Sequence, residues 1–283
     1  MAQDIITVGP EHIRLPRRSA DTHKGDYGRL FILAGSRGYT GAAALCARAA
    51  VRGGAGLVTA AVPEDVYPIV AVKCDEAIVR PWPEDDGALL EMTRGCDAAL
   101  IGPGLGQGER AQRLVLALLR TLDCPVILDA DGLNIVSRHI DVLDGRPAAT
   151  VLTPHEGEFS RLTGCPLPVR DRVGMAWWFA QAHHCVLVLK GHHPVTAFPD
   201  GTCAVNPTGN PGMARGGSGD ALAGLMAALV AQGIDNAAPA AVWLHGRAGD
   251  LAAAYKGEYG MTPSDVVEQI PYAIKMLMVN REE

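Results

Sequence analysis

The residues of this chain best suited to chemistry are Gly216, Gly217, Ser218, Gly219 and Asp220, set between the turn formers of NPTGNPGMAR and a stretch of helix formers reaching Gly233. Glycines let a backbone take positive φ and approach a ligand closely, and a helix that begins there leaves its first N–H groups unpaired and presents the positive end of its dipole. Such a place holds phosphate. A carboxylate at Asp220 lies beside that anion hole and can act on whatever group approaches the phosphate, which suits phosphoryl transfer. Its position at a helix N-terminus predicts a low pKa. The plain structural alternative is an N-capped helix after a flexible connection.

Other polar residues stand where strands should end. In PVILDADGLN, Asp129, Asp131 and Asn134 follow an apolar run, where they could hold Mg²⁺ or its waters or cap the next short helix. In TPHEGEF, His155 and Glu158 are three apart, a spacing that puts them on one helix face, and Glu158 is a third candidate for the metal. His155 taken alone reads as a structural histidine. The nine histidines include the adjacent pairs His183–His184 and His192–His193, but neighbouring positions share neither a helix face nor a strand face, which argues against zinc. Seven well-separated cysteines with no CxxC pair read as small buried hydrophobes in a reducing compartment.

Composition bounds the partners. The net charge is −6 and no Lys/Arg cluster stands out that could neutralise a row of phosphates, so nucleic acid is excluded and small molecules are the expected ligands. The N-terminus lacks the apolar core of a signal peptide, and the longest apolar run, 221–231 interrupted by Gly224, is too short to span a bilayer. A cytoplasmic location is the expectation.

These groups need a frame, and the apolar patterning supplies one. After a polar, irregular lead-in over 1–27, strands are expected at 29–34, 57–62, 77–80, 98–101, 125–129, 150–153 and 186–190, alternating with helices at 41–51, 64–72, 87–94, 110–122 and 171–183. A hairpin is expected between 195–198 and 202–205 across Pro199, Asp200 and Gly201, and helices again at 237–255 and 262–278. Alternation of this kind implies an α/β fold, a mostly parallel sheet covered on both faces with ligands at the carboxyl ends of strands. No repeat or second domain is visible, so residues 1–283 are read as one domain.

The motifs KGDYG, LAGSRGYTGAA, GPGLG, VLDADGLN, LTPHEGEF, VLKG and NPTGNPGMARGGSGDALAG occur in this order over residues 24–267 and resemble those of the ADP- or ATP-dependent NAD(P)H-hydrate dehydratases. The resemblance implies a ribokinase-like three-layer sandwich. It also implies repair of the S-epimer of hydrated NADH or NADPH, with a nucleotide phosphorylating the misplaced hydroxyl and phosphate then leaving. ADP with Mg²⁺ is the implied donor in bacterial-type members, giving AMP. By position, Ala42, Gly104, His155 and Asp220 would contact the hydrate, and Lys190, Gly191, His192, His193, Pro194 and Gly219 the nucleotide. The resemblance further implies a homo-oligomer, a homotetramer, and a separate NAD(P)H-hydrate epimerase, since the chain starts too late for a fused one.

Three positions depart from the family's usual pattern. Arg215 stands where a small hydroxyl residue is usual, Glu156 where proline is, and Pro194 where threonine is. Arg215 is expected either to reach the nucleotide phosphates or to point to solvent. Two other functions share the glycine-loop core: a ribokinase-like kinase of a vitamin precursor such as hydroxymethylpyrimidine or hydroxyethylthiazole, and a non-catalytic nucleotide sensor, which would have no need of Asp220.

Overall fold

The structure is a computed structural model, and it describes residues 5–279. Short runs of β-branched and aliphatic residues form the strands β1 (Ile5–Thr7), β2 (Arg29–Leu33), β3 (Leu57–Val62), β4 (Ile78–Pro81), β5 (Ala98–Ile101), β6 (Val126–Leu128), β7 (Thr150–Leu152), β8 (Val186–Leu189), β9 (Val195–Ala197) and β10 (Cys203–Val205). They make one sheet in the order β1-β10-β9-β8-β7-β6-β5-β2-β3-β4. Every pairing is parallel except those of β9, which runs against both β8 and β10.

Successive residues of a strand point to opposite faces, so a strand buried on both sides is apolar throughout. In β2, Leu30 and Ile32 face one core, while Phe31 and Leu33 face the other. In β6, Ile127 faces the first and Val126 and Leu128 the second. The first core is closed by α1 (Thr40–Arg52), α8 (Ser218–Ala231), α9 (Ala237–Gly260) and α10 (Pro263–Val279), and the second by α4 (Glu109–Thr121), α6 (Glu156–Thr163) and α7 (Arg172–Ala182) with their neighbours. The shorter helices α2 (Tyr67–Ala71), α3 (Asp86–Glu91) and α5 (Asp131–Val136) complete the layers. The expected three-layer α/β sandwich is the observed fold.

Helix α8 explains how the chain positions its glycine loop. It is apolar nearly all round, and residues 221–229 are all buried, as a helix enclosed by other elements requires. It crosses α1 so closely that a β-carbon on Gly224 would stand 2.2 Å from the Cys46 carbonyl oxygen, so no other residue fits there. The helix start is thereby held fixed above the carboxyl ends of the central strands.

Two expectations need correction. The lead-in over 1–27 is not wholly irregular: β1 adds to the sheet edge beside β10, and Val8 and Ile13 are buried. A three-residue strand whose side chains are exposed has no alternation to betray it. Residues 1–4 of that lead-in lie outside the described residues. Helix α9 runs on past Tyr255 to Gly260, with Gly257 at φ 70°, ψ 157° interrupting it.

Candidate active site

Most of the sequence-predicted residues follow the carboxyl ends of β5 to β8 or open α8, while Ala42 lies on α1 after β2. Helix α8 begins after Gly217, whose φ of 97° makes the turn that only glycine takes without strain. No side chain caps this end; the Ser218 amide donates to the Arg215 carbonyl at 3.2 Å, and the Gly219 and Asp220 amides that follow are the ones placed for a ligand. Behind the first turn, Lys190 Nζ at the end of β8 donates to Asp129 Oδ1 at the end of β6, 2.6 Å away, and lies 3.8 Å from Glu158 Oε2. A β-carbon on Gly219 would stand 3.4 Å from that ammonium and 3.8 Å from Asp129 Oδ2, so the glycine loop and the ion pair share one wall.

Charges in this wall are buried and mutually tuned. Thr153 Oγ1 donates to Asp129 Oδ1 at 2.8 Å, adding a second donor to a carboxylate that is 2% exposed. Burial disfavours the Lys190 ammonium, but Asp129 and Glu158 outweigh it and hold its pKa above the ordinary value. Asp220 titrates the other way. Burial and then the Asp129 charge push its pKa up to about 6, against the lowering influence of Lys190. The low pKa expected from the helix N-terminus is therefore overturned: desolvation and the like charge of Asp129 together exceed the lowering by the dipole and by Lys190. The consequence is a carboxylate matched to proton transfer near neutral pH.

The metal candidates do not come together as a cage. Asp131 is committed to the loop after β5, where its carboxylate accepts from the Gly106 amide at 2.8 Å and from Gln107 Nε2 at 3.0 Å. Glu158 accepts from the His155 amide at 2.8 Å and Asp129 is paired with Lys190. Among the described residues, no three His, Cys, Asp or Glu side chains are grouped as a metal site requires. These residues therefore form no all-protein cage, whereas Mg²⁺ carried on substrate phosphates needs only one or two carboxylates.

His155 is the N-cap of α6 and keeps Glu158 as its partner, with Nε2 3.5 Å from Glu158 Oε1. Its Nδ1 accepts from the Gly157 and Glu158 amides at 3.0 and 3.3 Å, completing a capping box with Glu158. The imidazole is otherwise exposed. On the opposite side, Gly104 in the loop after β5 packs on α1: a β-carbon there would stand 2.9 Å from that of Ala42. These two of the predicted hydrate contacts thus touch each other.

The loop Lys190 to Pro194 joins β8 to β9 and is held from behind by a residue that sequence reasoning missed. Arg172, at the start of α7, donates to the carbonyls of Leu189, Lys190, His192 and His193 at 3.0, 3.0, 2.5 and 3.3 Å. Its Nε lies 3.3 Å from Glu156 Oε1, near enough for charge attraction though not aligned for a hydrogen bond. Glu156 is one of the unusual residues, and Oε2 of the same carboxylate accepts from the Val169 amide at 3.4 Å. His193 takes φ 50°, sends Nδ1 to within 3.2 Å of the Asn206 carbonyl, and lies against the His192 ring with centroids 3.9 Å apart and the planes tilted by 52°.

A second missed group lies on α9, in the string HGRAGD over 245–250. Asp250 accepts from the Gly209 amide at 3.2 Å and from Asn210 Nδ2 at 3.1 Å, while Thr208 Oγ1 donates to the Trp243 carbonyl at 2.9 Å. The loop before α8 is thereby pinned to α9. Burial pushes the His245 pKa down to about 4 with the Ser218 carbonyl opposing, so a neutral imidazole lies under the start of α8. Polar residues inside an otherwise apolar helix were the signal for this group. Of the two expectations for Arg215 the solvent-facing one holds: the residue is exposed and donates to the Tyr259 carbonyl near the end of α9.

A family model described as NAD(P)H-hydrate dehydratase matches residues 30–272. An ADP-dependent (S)-NAD(P)H-hydrate dehydratase of Bacillus subtilis is 41% identical over 85% of this chain and 87% of its own length. A crystal structure of the ADP/ATP-dependent enzyme from Bacillus subtilis, co-crystallised with ATP and Mg²⁺, superimposes with a TM-score of 0.86 at 35% identity, covering 98% of this chain and 100% of that one. A ribokinase-like superfamily protein from Enterococcus faecalis gives 0.88 at 28% identity, covering 98% of both chains. The chain also matches a bifunctional NAD(P)H-hydrate repair enzyme of Moorella thermoacetica, 43% identical over 96% of this chain, and spans 54% of that relative's length. The fold is ribokinase-like, and the chain belongs to the NAD(P)H-hydrate dehydratase family.

Proposed function

We propose that the chain dehydrates the S-epimer of hydrated NADH or NADPH, using ADP as phosphoryl donor and releasing AMP and phosphate. The observation that carries this reading is Asp220: a carboxylate with its pKa raised to about 6, in the first turn of the uncapped helix α8. The β-phosphate of ADP rests on the amides at the start of α8, beside Gly219 and the Lys190 ammonium. Asp220 accepts the proton of the substrate hydroxyl as its oxygen attacks phosphorus and the bond to AMP breaks. A loose phosphoryl transfer asks mainly for positioning and charge neutralisation, and this wall offers both.

The second half follows from the substrate. Phosphorylation turns a poor leaving group, hydroxide, into a good one on a carbon next to the ring nitrogen. The nitrogen lone pair expels phosphate, and loss of a proton from the adjacent ring carbon restores the dihydronicotinamide. Ala42, Gly104 and His155 form the hydrate side, and Lys190 to Pro194 with Gly219 the nucleotide side. Mg²⁺ would come bound to the nucleotide, with its ligands from phosphates and water rather than from a protein cage. The same reading includes a homotetramer and an NAD(P)H-hydrate epimerase as the partner enzyme serving the other epimer.

The test is to mix protein, hydrated NADH, ADP and Mg²⁺ and follow the dihydronicotinamide absorbance. Recovery that requires ADP supports the reading, and no recovery with either adenine nucleotide overturns it.

A further inference from the structure

Seven cysteines are free, and two of them touch: Cys96 Sγ and Cys124 Sγ lie 3.5 Å apart, within thiol hydrogen-bonding distance. They precede β5 and β6, which are adjacent and parallel with Ala99 opposite Val126. Their backbones are anchored on both sides. The Cys96 amide donates to the Thr93 carbonyl at 3.1 Å, the Ala99 amide to the Pro125 carbonyl at 3.0 Å, and Arg146 Nη2 to the Cys124 carbonyl at 3.0 Å. Cys46, Cys74, Cys185 and Cys203 are buried and Cys165 is half-buried, and among the described residues no second pair of thiols makes such a contact.

We propose that Cys96 and Cys124 form an oxidisable dithiol, a site that a hydroperoxide closes into a reversible disulfide joining the amino ends of β5 and β6. Closure needs the sulfurs to approach from 3.5 Å to about 2.05 Å, a movement within reach of side-chain rotation on anchored neighbouring strands. Cys124 is the attacking sulfur. The 3.5 Å thiol contact and the Arg146 guanidinium, held at the Cys124 carbonyl by a 3.0 Å hydrogen bond, lower the Cys124 pKa, while the contact and burial raise that of Cys96. Cys96 is partly exposed, so small oxidants reach the pair.

The chemistry balances in two steps. The Cys124 thiolate attacks a peroxide oxygen, the O–O bond breaks, the alkoxide leaves and takes a proton, and sulfur becomes a sulfenic acid. Cys96 sulfur then attacks Cys124 sulfur, the S–S bond forms, the S–O bond breaks, and hydroxide leaves with the Cys96 proton as water. The two thiols lose two electrons and the peroxide gains them.

The experiment treats the full chain with hydrogen peroxide under native conditions, then counts free thiols after denaturation and maps the linked peptides. The count is expected to fall from seven to five, with residues 96 and 124 in one linked peptide and full recovery after dithiothreitol. In Cys96→Ser, no link forms and dimedone labels Cys124. Retention of seven thiols, a link between other cysteines, or overoxidation of Cys124 in the wild-type chain without any link would overturn the proposal.

Discussion

Lys190 Nζ and Asp129 Oδ1 stand 2.6 Å apart at the ends of two strands separated by β7, and the residue that reacts in our account, Asp220, feels both of their charges. Asp129 raises the Asp220 pKa and Lys190 lowers it, so the pair acts as a buffer on the base as well as a strut across the sheet.

Breaking that pair from one side leaves an uncompensated buried charge. Lys190→Met is expected to cost about 3 kcal/mol of stability and Asp129→Asn a similar amount, while the double variant recovers much of the loss. Chemical unfolding of the three variants checks this. Additive losses would mean that the two residues stabilise the fold independently.

Asp220 links activity to pH. Its deprotonated form accepts the proton, so kcat should rise with pH up to about 6 and then level. Asp220→Asn should lower kcat by roughly 10² to 10⁴ with little change in nucleotide binding. Stability moves oppositely. A carboxyl whose folded pKa is raised binds more protons folded than unfolded, so its contribution is present below about 4 and is lost as pH rises to about 6. Asp220→Asn removes that loss, and above pH 6 the variant should be more stable by about 1 to 2 kcal/mol, discounted for partial exposure. Melting curves across this range decide it; a variant less stable than wild type above pH 6 contradicts the raised pKa.

Arg172 holds four carbonyls of the nucleotide-side loop and touches substrate nowhere in this account. Arg172→Lys keeps the charge but loses the fork, and is expected to raise the KM for ADP about tenfold, a loss of about 1.4 kcal/mol, with kcat less affected. Glu156→Gln should follow in the same direction by a smaller factor. Equal falls in kcat and kcat/KM would place Arg172 in the transition state instead.

Arg215 is tied to the Tyr259 carbonyl, near the negative end of a helix. Arg215→Thr is therefore expected to leave ADP affinity unchanged and to alter stability by less than about 1 kcal/mol. A calorimetric titration with ADP that shows a tenfold loss would return Arg215 to the phosphates.

The central frame was legible because its strands are buried on both faces and read as apolar runs between glycine loops. β3 and β5 fall where the patterning puts them, at Leu57–Val62 and Ala98–Ile101. The exposed edge strand β1 carries no such pattern and was missed. At the site, the Gly217 turn and the start of α8 were legible as local structure, whereas the partners of Asp131 were not and Arg172 was not singled out. What these two do depends on backbone carbonyls and amides brought from distant strands, and a backbone partner leaves no side-chain type to read. The Asp220 pKa failed for a related reason: helix position is local, but burial beside Asp129 arises only from folding.

The most direct measurement is the stoichiometry of the reaction with hydrated NADH, ADP and Mg²⁺, counting AMP, free phosphate and recovered dihydronicotinamide absorbance together. The account predicts all three in equal amounts, because the phosphate ester collapses as soon as the ring nitrogen can expel it. AMP without that absorbance, or a stable alkyl phosphate accumulating from a pyrimidine or thiazole alcohol, would contradict it and leave a kinase in its place.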